Sequence, residues 1–150
     1  MFFLFITVKK IVTLSVKMNN EPMETRKIEW NDLGVTVEIS VFAPENGVDE
    51  FHVMLHVEAR DEVFAGQLAR VYRAEERLAA LPEMQGTQAI MKRYFLSDST
   101  NQRPLMKEEP DCAFSFIQQP PLDGSKVGVW MYLQRGSKVY NDNGMVVCEE

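Results

Sequence analysis

Apolar and polar positions alternate strictly over residues 35–42, with Val35, Val37, Ile39 and Val41 on one side and Thr36, Glu38 and Ser40 on the other. A period of two is that of a half-buried strand. Ala43, Pro44, Glu45, Asn46 and Gly47 supply a turn, and Phe51, Val53, Leu55 and Val57 resume the alternation, so residues 35–58 predict a β-hairpin. The spacing then changes. Phe64, Leu68, Val71, Leu78 and Leu81 recur at helical intervals, with Asp61 as the expected N-cap, Pro82 as the stop, and Arg70, Arg73, Glu76 and Arg77 off the apolar stripe. A third strand is predicted over residues 87–96 and is followed by the polar run 97–102. Residues 103–111 carry no helical periodicity. A fourth strand over 113–118, a turn over 119–124 and a fifth strand over 127–134 precede a polar tail. The chain is therefore expected to be α+β, with a mixed sheet of about five strands packed on one long helix.

The fifth strand places Val127, Val129, Met131 and Leu133 on one face and Trp130 and Tyr132 on the other, and the fourth sets Phe114 and Phe116 opposite Ile117. A sheet with a single helix covers one face inside the monomer, so the second face predicts burial in an oligomer, or beneath the N-terminal extension or the tail. The length of 150 residues fits one domain over 18–150, and 45% apolar content is enough for a core. The first 17 residues are apolar but divided by Lys9 and Lys10, which matches neither a secretory signal nor a spanning helix. They are expected to be an extension or a mis-assigned start ahead of Met18. An extra strand is the alternative, favoured by Ile11, Val12, Thr13 and Val16. A cytoplasmic protein with no membrane partner follows as the expectation.

The formal charge of −6, from 22 acidic and 16 basic residues, opposes nucleic-acid binding and with it a ribonuclease reading. Cys112 and Cys148 belong to no C-x-x-C pair. His52 and His56 lie on a strand pattern, where four steps separate them by about 13 Å, too far for one metal ion, so no metal or other cofactor is expected. Cys112 has no base placed beside it and reads as a small buried residue. Gly124, Ser125 and Lys126 lack the upstream glycine of a phosphate loop and read as a hairpin turn. The polar set Arg93, Ser97, Asn101, Gln102, Gln118 and Gln119 lies at strand ends and loops, where ligand-binding groups are commonly presented. Turn-capping and interface hydrogen bonds are the other reading of the same set.

The order hairpin, helix, strand, strand, strand resembles that of the Rid (reactive intermediate deaminase, YjgF) family. Residues 67–81 (QLARVYRAEERLAAL) look like its main helix, 89–102 (AIMKRYFLSDSTNQ) are similar to the strand that follows, and 114–133 (FSFIQQPPLDGSKVGVWMYL) resemble its final hairpin. The resemblance spans roughly residues 35–133. It implies a chorismate-mutase-like fold and a homotrimer with small-molecule pockets at the subunit interfaces. Active members hydrolyse amino-acid-derived enamines or imines to keto acids and ammonia, and an arginine just before the strand matched by 113–118 grips the substrate carboxylate. Here that place reads Pro110, Asp111 and Cys112, an acidic position of the last strand falls at or near Trp130, and the second helix is shortened to 103–110. The implied function is thus a trimer that binds a small carboxylate-bearing metabolite without the usual arginine. A divergent deaminase drawing on Arg93 or Arg103 is the alternative, and a pure assembly protein stands behind both.

Overall fold

The computed structural model describes residues 11–18, 21–109 and 111–149, so most of the extension ahead of residue 11 lies outside the described residues. Seven strands form one sheet in the order β1-β2-β3-β4-β7-β5-β6. These are β1 (Ile11–Met18), β2 (Glu21–Trp30), β3 (Val35–Phe42), β4 (Asp49–Val57), β5 (Thr87–Leu96), β6 (Ala113–Gln118) and β7 (Val127–Arg135). All neighbouring pairs are antiparallel except β5 and β6, which run parallel, so the sheet is mixed. The α+β class is as expected from the alternation, but the count of about five strands is too low. The missed strand β2 carries Glu24, Arg26 and Lys27, and among its residues 24–30 only Ile28 and Trp30 reach the core. The segment 138–149, read as a polar tail, forms a two-stranded ribbon, β8 (Lys138–Asp142) and β9 (Met145–Glu149).

One face of the sheet packs on the 16-residue helix α1 (Phe64–Ala79). Val35, Val37, Ile39, Phe51, Val53, Leu55, Val57, Val127, Val129, Met131 and Leu133 are buried there with Phe64, Leu68, Val71, Ala74 and Leu78 of the helix. These are the positions that the two periodicities single out. Their burial is the main favourable term for this fold. Helix α1 starts differently from the expectation. Its N-cap is Val63, with no side-chain cap; Asp61 stands too early, and Val63 itself accepts from the Gly66 and Gln67 amides. The chain leaves α1 after Ala79, and Pro82 opens a 3-10 turn (Pro82–Met84). Between β5 and β6 the second helix is reduced to one turn, α2 (Ser99–Gln102), followed by a 3-10 turn (Arg103–Leu105).

Two polar side chains of α1 are buried against the periodic pattern. Arg70 donates from Nη1 to the carbonyls of Leu33 (3.1 Å) and Gly34 (3.0 Å), and from Nη2 to the carbonyl of Glu58 (2.7 Å) and the carboxylate of Glu62. One guanidinium thus fastens the β2–β3 turn, the end of β4 and the start of the helix. Gly34 is part of this joint: its φ is +59°, and a Cβ there would meet the guanidinium groups of Arg60 and Arg70. Gln67 accepts the Lys126 amide at 2.7 Å, tying the 119–126 loop to the helix. That loop is not the hairpin turn expected from the sequence. Strands β6 and β7 lie on opposite sides of β5, so residues 119–126 cross over the end of β5, a pairing that local turn chemistry cannot reveal.

Arg70→Met is expected to lower stability by about 3 kcal/mol, because it strands three carbonyls and the Glu62 carboxylate in a buried joint. Urea unfolding measures this; a loss below about 1 kcal/mol would show that the joint is dispensable.

Candidate functional site

Strand alternation carries a second row of side chains to the sheet face opposite α1. In register, Ser115 of β6, Arg93 of β5, Trp130 of β7, Met54 of β4 and Glu38 of β3 form one line across five strands. The next line holds Ile117, Phe95, Gly128, His56 and Thr36. Trp130, Met54, Phe95, Ile117 and Arg93 are all half-buried and His52 and His56 are exposed, so no element among the described residues covers this face.

Arg93 donates from Nε to Ser115 Oγ at 3.1 Å, and its guanidinium carbon lies 5.8 Å from the Trp130 ring centroid. Trp130 in turn stacks at 5.8 Å on His52, whose ring is 5.1 Å from Tyr132. The arginines Arg26, Arg70, Arg77 and Arg135, each at least half-buried, pair with Glu83, Glu62, Asp32 and Asp49 respectively. Arg93 is half-buried like Arg26, Arg77 and Arg135 but has no carboxylate partner among the described residues. Its two terminal nitrogens donate to no side chain among the described residues, which leaves them donors to spare. Beside it, the missing side chain of Gly128 leaves a hollow of about 340 Å³, walled by Met54, His56, Phe95 and residues 119–123 of the crossover loop, with the Asp123 carboxylate as the one acidic group of the lining. One register line, roughly 7 Å along the strands, separates this apolar hollow from Arg93.

The predicted polar set therefore divides. Arg93 and Gln119 belong to the open face. Ser97 accepts from Gln102 Nε2 at 2.7 Å, and buried Gln102 accepts the Asp98 amide at 3.0 Å. Asn101 donates from its amide and its side chain to Asp98, and Gln118 accepts from Ser99 Oγ at 2.8 Å. These four residues build the turn that ends β5 and starts α2, so their hydrogen bonds are the turn-capping ones. His56 Nε2 lies 3.8 Å from Glu38, while His52 is held in the ring stack. Arg103 rests over Phe116, 5.2 Å from its centroid, and Phe116 stacks on Tyr94 on the α1 side. Arg93 and Arg103 thus serve opposite faces of the sheet. Trp130 was singled out on the second face of the last strand, whereas Met54, Phe95 and Gly128 escaped the sequence reading; the signal was a glycine inside an apolar strand.

A second cluster lies under the sheet, between α1 and β5. Lys92 Nζ sits 2.7 Å from Glu75 Oε2 and 2.6 Å from Glu109 Oε2, and these three side chains are 14%, 14% and 18% exposed. The Tyr94 hydroxyl lies 3.3 Å from Glu75 Oε1 and 2.5 Å from Glu109 Oε1. Burial raises the Glu75 carboxyl above its ordinary range against the pull of Lys92. Burial opposes the Lys92 ammonium, but Glu75 and Glu109 outweigh it and hold its pKa above the usual value. Burial, reinforced by both carboxylates, likewise keeps the Tyr94 hydroxyl protonated. Cys112, at the edge of this cluster, is pushed up to about 11, first by burial and then by Glu109. The sequence hinted at the cluster through Lys92, a lysine in phase with Tyr94 and Leu96 on the inward side of β5.

Because the thiolate is the reacting form, Cys112 is expected to be inert towards an aromatic disulfide reagent at neutral pH. Half-buried Cys148 should react first, giving one fast thiol in the native protein and two after unfolding. Two equally fast native thiols would contradict the burial of Cys112.

Among the described residues, no helix is long and apolar enough to cross a membrane. Comparison with protein-family models, with curated proteins and with solved structures found no match for this chain.

Proposed function

We propose that this chain binds a small carboxylate-bearing metabolite on the sheet face opposite α1, through Arg93, in a homotrimer whose neighbouring copy closes that face. The observation that carries the reading is the half-buried guanidinium with no carboxylate of its own, set beside an apolar hollow. A planar guanidinium is suited to a bidentate carboxylate, and partial exclusion of water strengthens the pair. The hollow over Gly128 accepts the ligand's apolar part. A second copy of the chain supplies the missing wall: Trp130, Phe95, Met54 and fully exposed Leu122 form an apolar surface of the kind that marks association sites. The order of hairpin, helix and three further strands is compatible with the Rid resemblance and the trimer that it implies. The chorismate-mutase-like fold and a cytoplasmic setting belong to the same proposal.

Binding rather than hydrolysis is favoured by what surrounds Arg93. A deaminase needs a group that handles the proton of the attacking water, within hydrogen-bond reach of the reacting centre. The register line of Arg93 offers Ser115 and Trp130, its carboxylate, Glu38, is three strands from Arg93, roughly 14 Å away, and the titratable groups of the hollow, His56 and Asp123, make no hydrogen bond or ion pair with Arg93. Arg103, the other cation considered for catalysis, is on the far face. A divergent enamine or imine deaminase remains the outcome to test against.

Light scattering during gel filtration should give three times the chain mass of 17.2 kDa, and a monomer at micromolar concentration would contradict assembly. Titration with 2-oxobutanoate should raise the melting temperature of the native protein. Arg93→Ala should weaken that binding about tenfold or more, the scale of one charge-assisted pair, with Arg93→Lys in between. Unchanged affinity in Arg93→Ala would refute the site. In a coupled assay where an amino-acid oxidase supplies the imine, no acceleration of keto-acid release is expected. Acceleration abolished by Arg93→Ala would establish the deaminase instead.

A further inference from the structure

Lys92 divides two clefts on the α1 side of the sheet. The first, about 380 Å³, has Glu75 and Lys92 at its polar end and apolar walls from Leu78, Met84, Met131 and Leu133. The second, about 550 Å³, lies between β5, the Glu108–Cys112 region and Val139 of the ribbon. Both are bordered by Ala89 and Lys92. What separates them is the contact of Lys92 with Glu109, a residue on the irregular stretch between the 3-10 turn and β6.

Glu109 does not make an ordinary surface pair. Each of its oxygens meets a different donor rooted in β5, Oε2 the Lys92 ammonium at 2.6 Å and Oε1 the Tyr94 hydroxyl at 2.5 Å. Two donors placed two residues apart on one strand, converging on a single carboxylate inside a cleft, form a carboxylate receptor. The fixed part belongs to strand and helix: Glu75 orients Lys92 from α1, and Phe116 stacks on Tyr94 at 5.8 Å. Glu109 arrives from an irregular segment that, among the described residues, is held by the Lys107 amide on the Tyr72 hydroxyl, the Lys107 ammonium over the Tyr72 ring and the Cys112 amide on the Glu109 carbonyl.

The geometry points to a second binding site, in which Glu109 is an internal stand-in for the carboxylate of a small apolar-tailed monocarboxylate that displaces it from Lys92 and Tyr94. The exchange leaves the charge of the cluster unchanged, since one carboxylate replaces another, so Lys92 is never left unpaired. Glu109 itself lines the second cleft, beside Glu108 and Asp111, whereas Lys92 borders both, so the ligand's carboxylate is placed on Lys92 and its tail on the first-cleft side, between Leu78, Met84, Met131 and Leu133 and away from those carboxylates. The segment carrying Glu109 is thereby autoinhibitory. The site is separate from the Arg93 face, because Lys92 and Arg93 are successive residues of β5 and point to opposite sides of the sheet.

The test is calorimetric titration of the full chain with sodium hexanoate. Glu109→Ala, which empties the receptor, should bind hexanoate at least about tenfold more tightly than the native protein, where the internal carboxylate competes. Adding Lys92→Met to Glu109→Ala should abolish the gain, and adding Tyr94→Phe should reduce it. Arg93→Ala should leave it unaltered, so failure of the open-face reading does not decide this one. If Glu109→Ala does not fold by circular dichroism, the isosteric Glu109→Gln decides, with a smaller but measurable gain expected. A folded Glu109 variant that binds hexanoate no more tightly than the native chain would overturn the proposal. So would hexanoate binding that is lost in Arg93→Ala and indifferent to Glu109.

Discussion

One helix of 16 residues cannot cover two faces of a seven-stranded sheet, and most of this structure is a response to that constraint. On the side that α1 covers, the aliphatic positions of β3, β4 and β7 are fully buried and the chain has a conventional core. On the other side, Trp130, Met54, Phe95 and Ile117 are left half-buried by the monomer. An apolar sheet face in water is unfavourable in proportion to its area, and association removes that area. Arg93 gains its significance from this setting. A guanidinium at an exposed rim would be an ordinary solvated charge, but Arg93 is half-buried beside Trp130 and Ser115, and on the proposed reading, in which a second copy covers this face, it would need an anion.

The covered side shows the same constraint at smaller scale. Helix α1 lies over β3, β4 and β7, and little regular structure follows to shield β5 and β6, since α2 is one turn long. The space is taken by Met106, Phe116 and the Lys92, Glu75, Tyr94 and Glu109 cluster. Charged groups standing in for an apolar helix leave clefts on either side of Lys92. Buried ion pairs contribute little net stability compared with apolar packing, which makes a binding role for this cluster more economical than a purely structural one.

How much of this was legible in the sequence depends on the range of the signal. The β3–β4 hairpin, α1 and β7 were readable because each carries its own period of two or of about 3.6, while β5 and β6 were read from their apolar content between turn signals, and β5 breaks its alternation at an irregularity between Ala89 and Met91. Strand β2 was not, because Glu24, Arg26 and Lys27 dilute its alternation, although its pairing partners β1 and β3 flank it directly in the chain. Arg70 read as a solvent residue because the carbonyls it binds belong to two distant turns. The crossover between β6 and β7 looked like a hairpin, since turn residues specify that the chain reverses and not what is inserted between the strands. At the candidate site, Arg93 and Gln119 were singled out by residue type and position, and the fold brings both to the open face. Ser97, Asn101, Gln102 and Gln118 share that type and position but spend their hydrogen bonds on the α2 turn, a distinction that depends on three-dimensional geometry.

The most direct test of whether the open face is covered is its own fluorophore. The chain has two tryptophans, Trp30, 4% exposed in the core, and Trp130, half-buried on the face opposite α1. Quenching by acrylamide therefore reports mainly on Trp130, and it can be followed as the protein is diluted from a concentration that favours assembly to one that does not. The account predicts weak quenching in the concentrated sample and a marked increase on dilution, as Trp130 and its neighbours are released from the adjoining copy. Strong quenching that is independent of protein concentration, in a folded sample, would mean that the face stays open and would contradict the account.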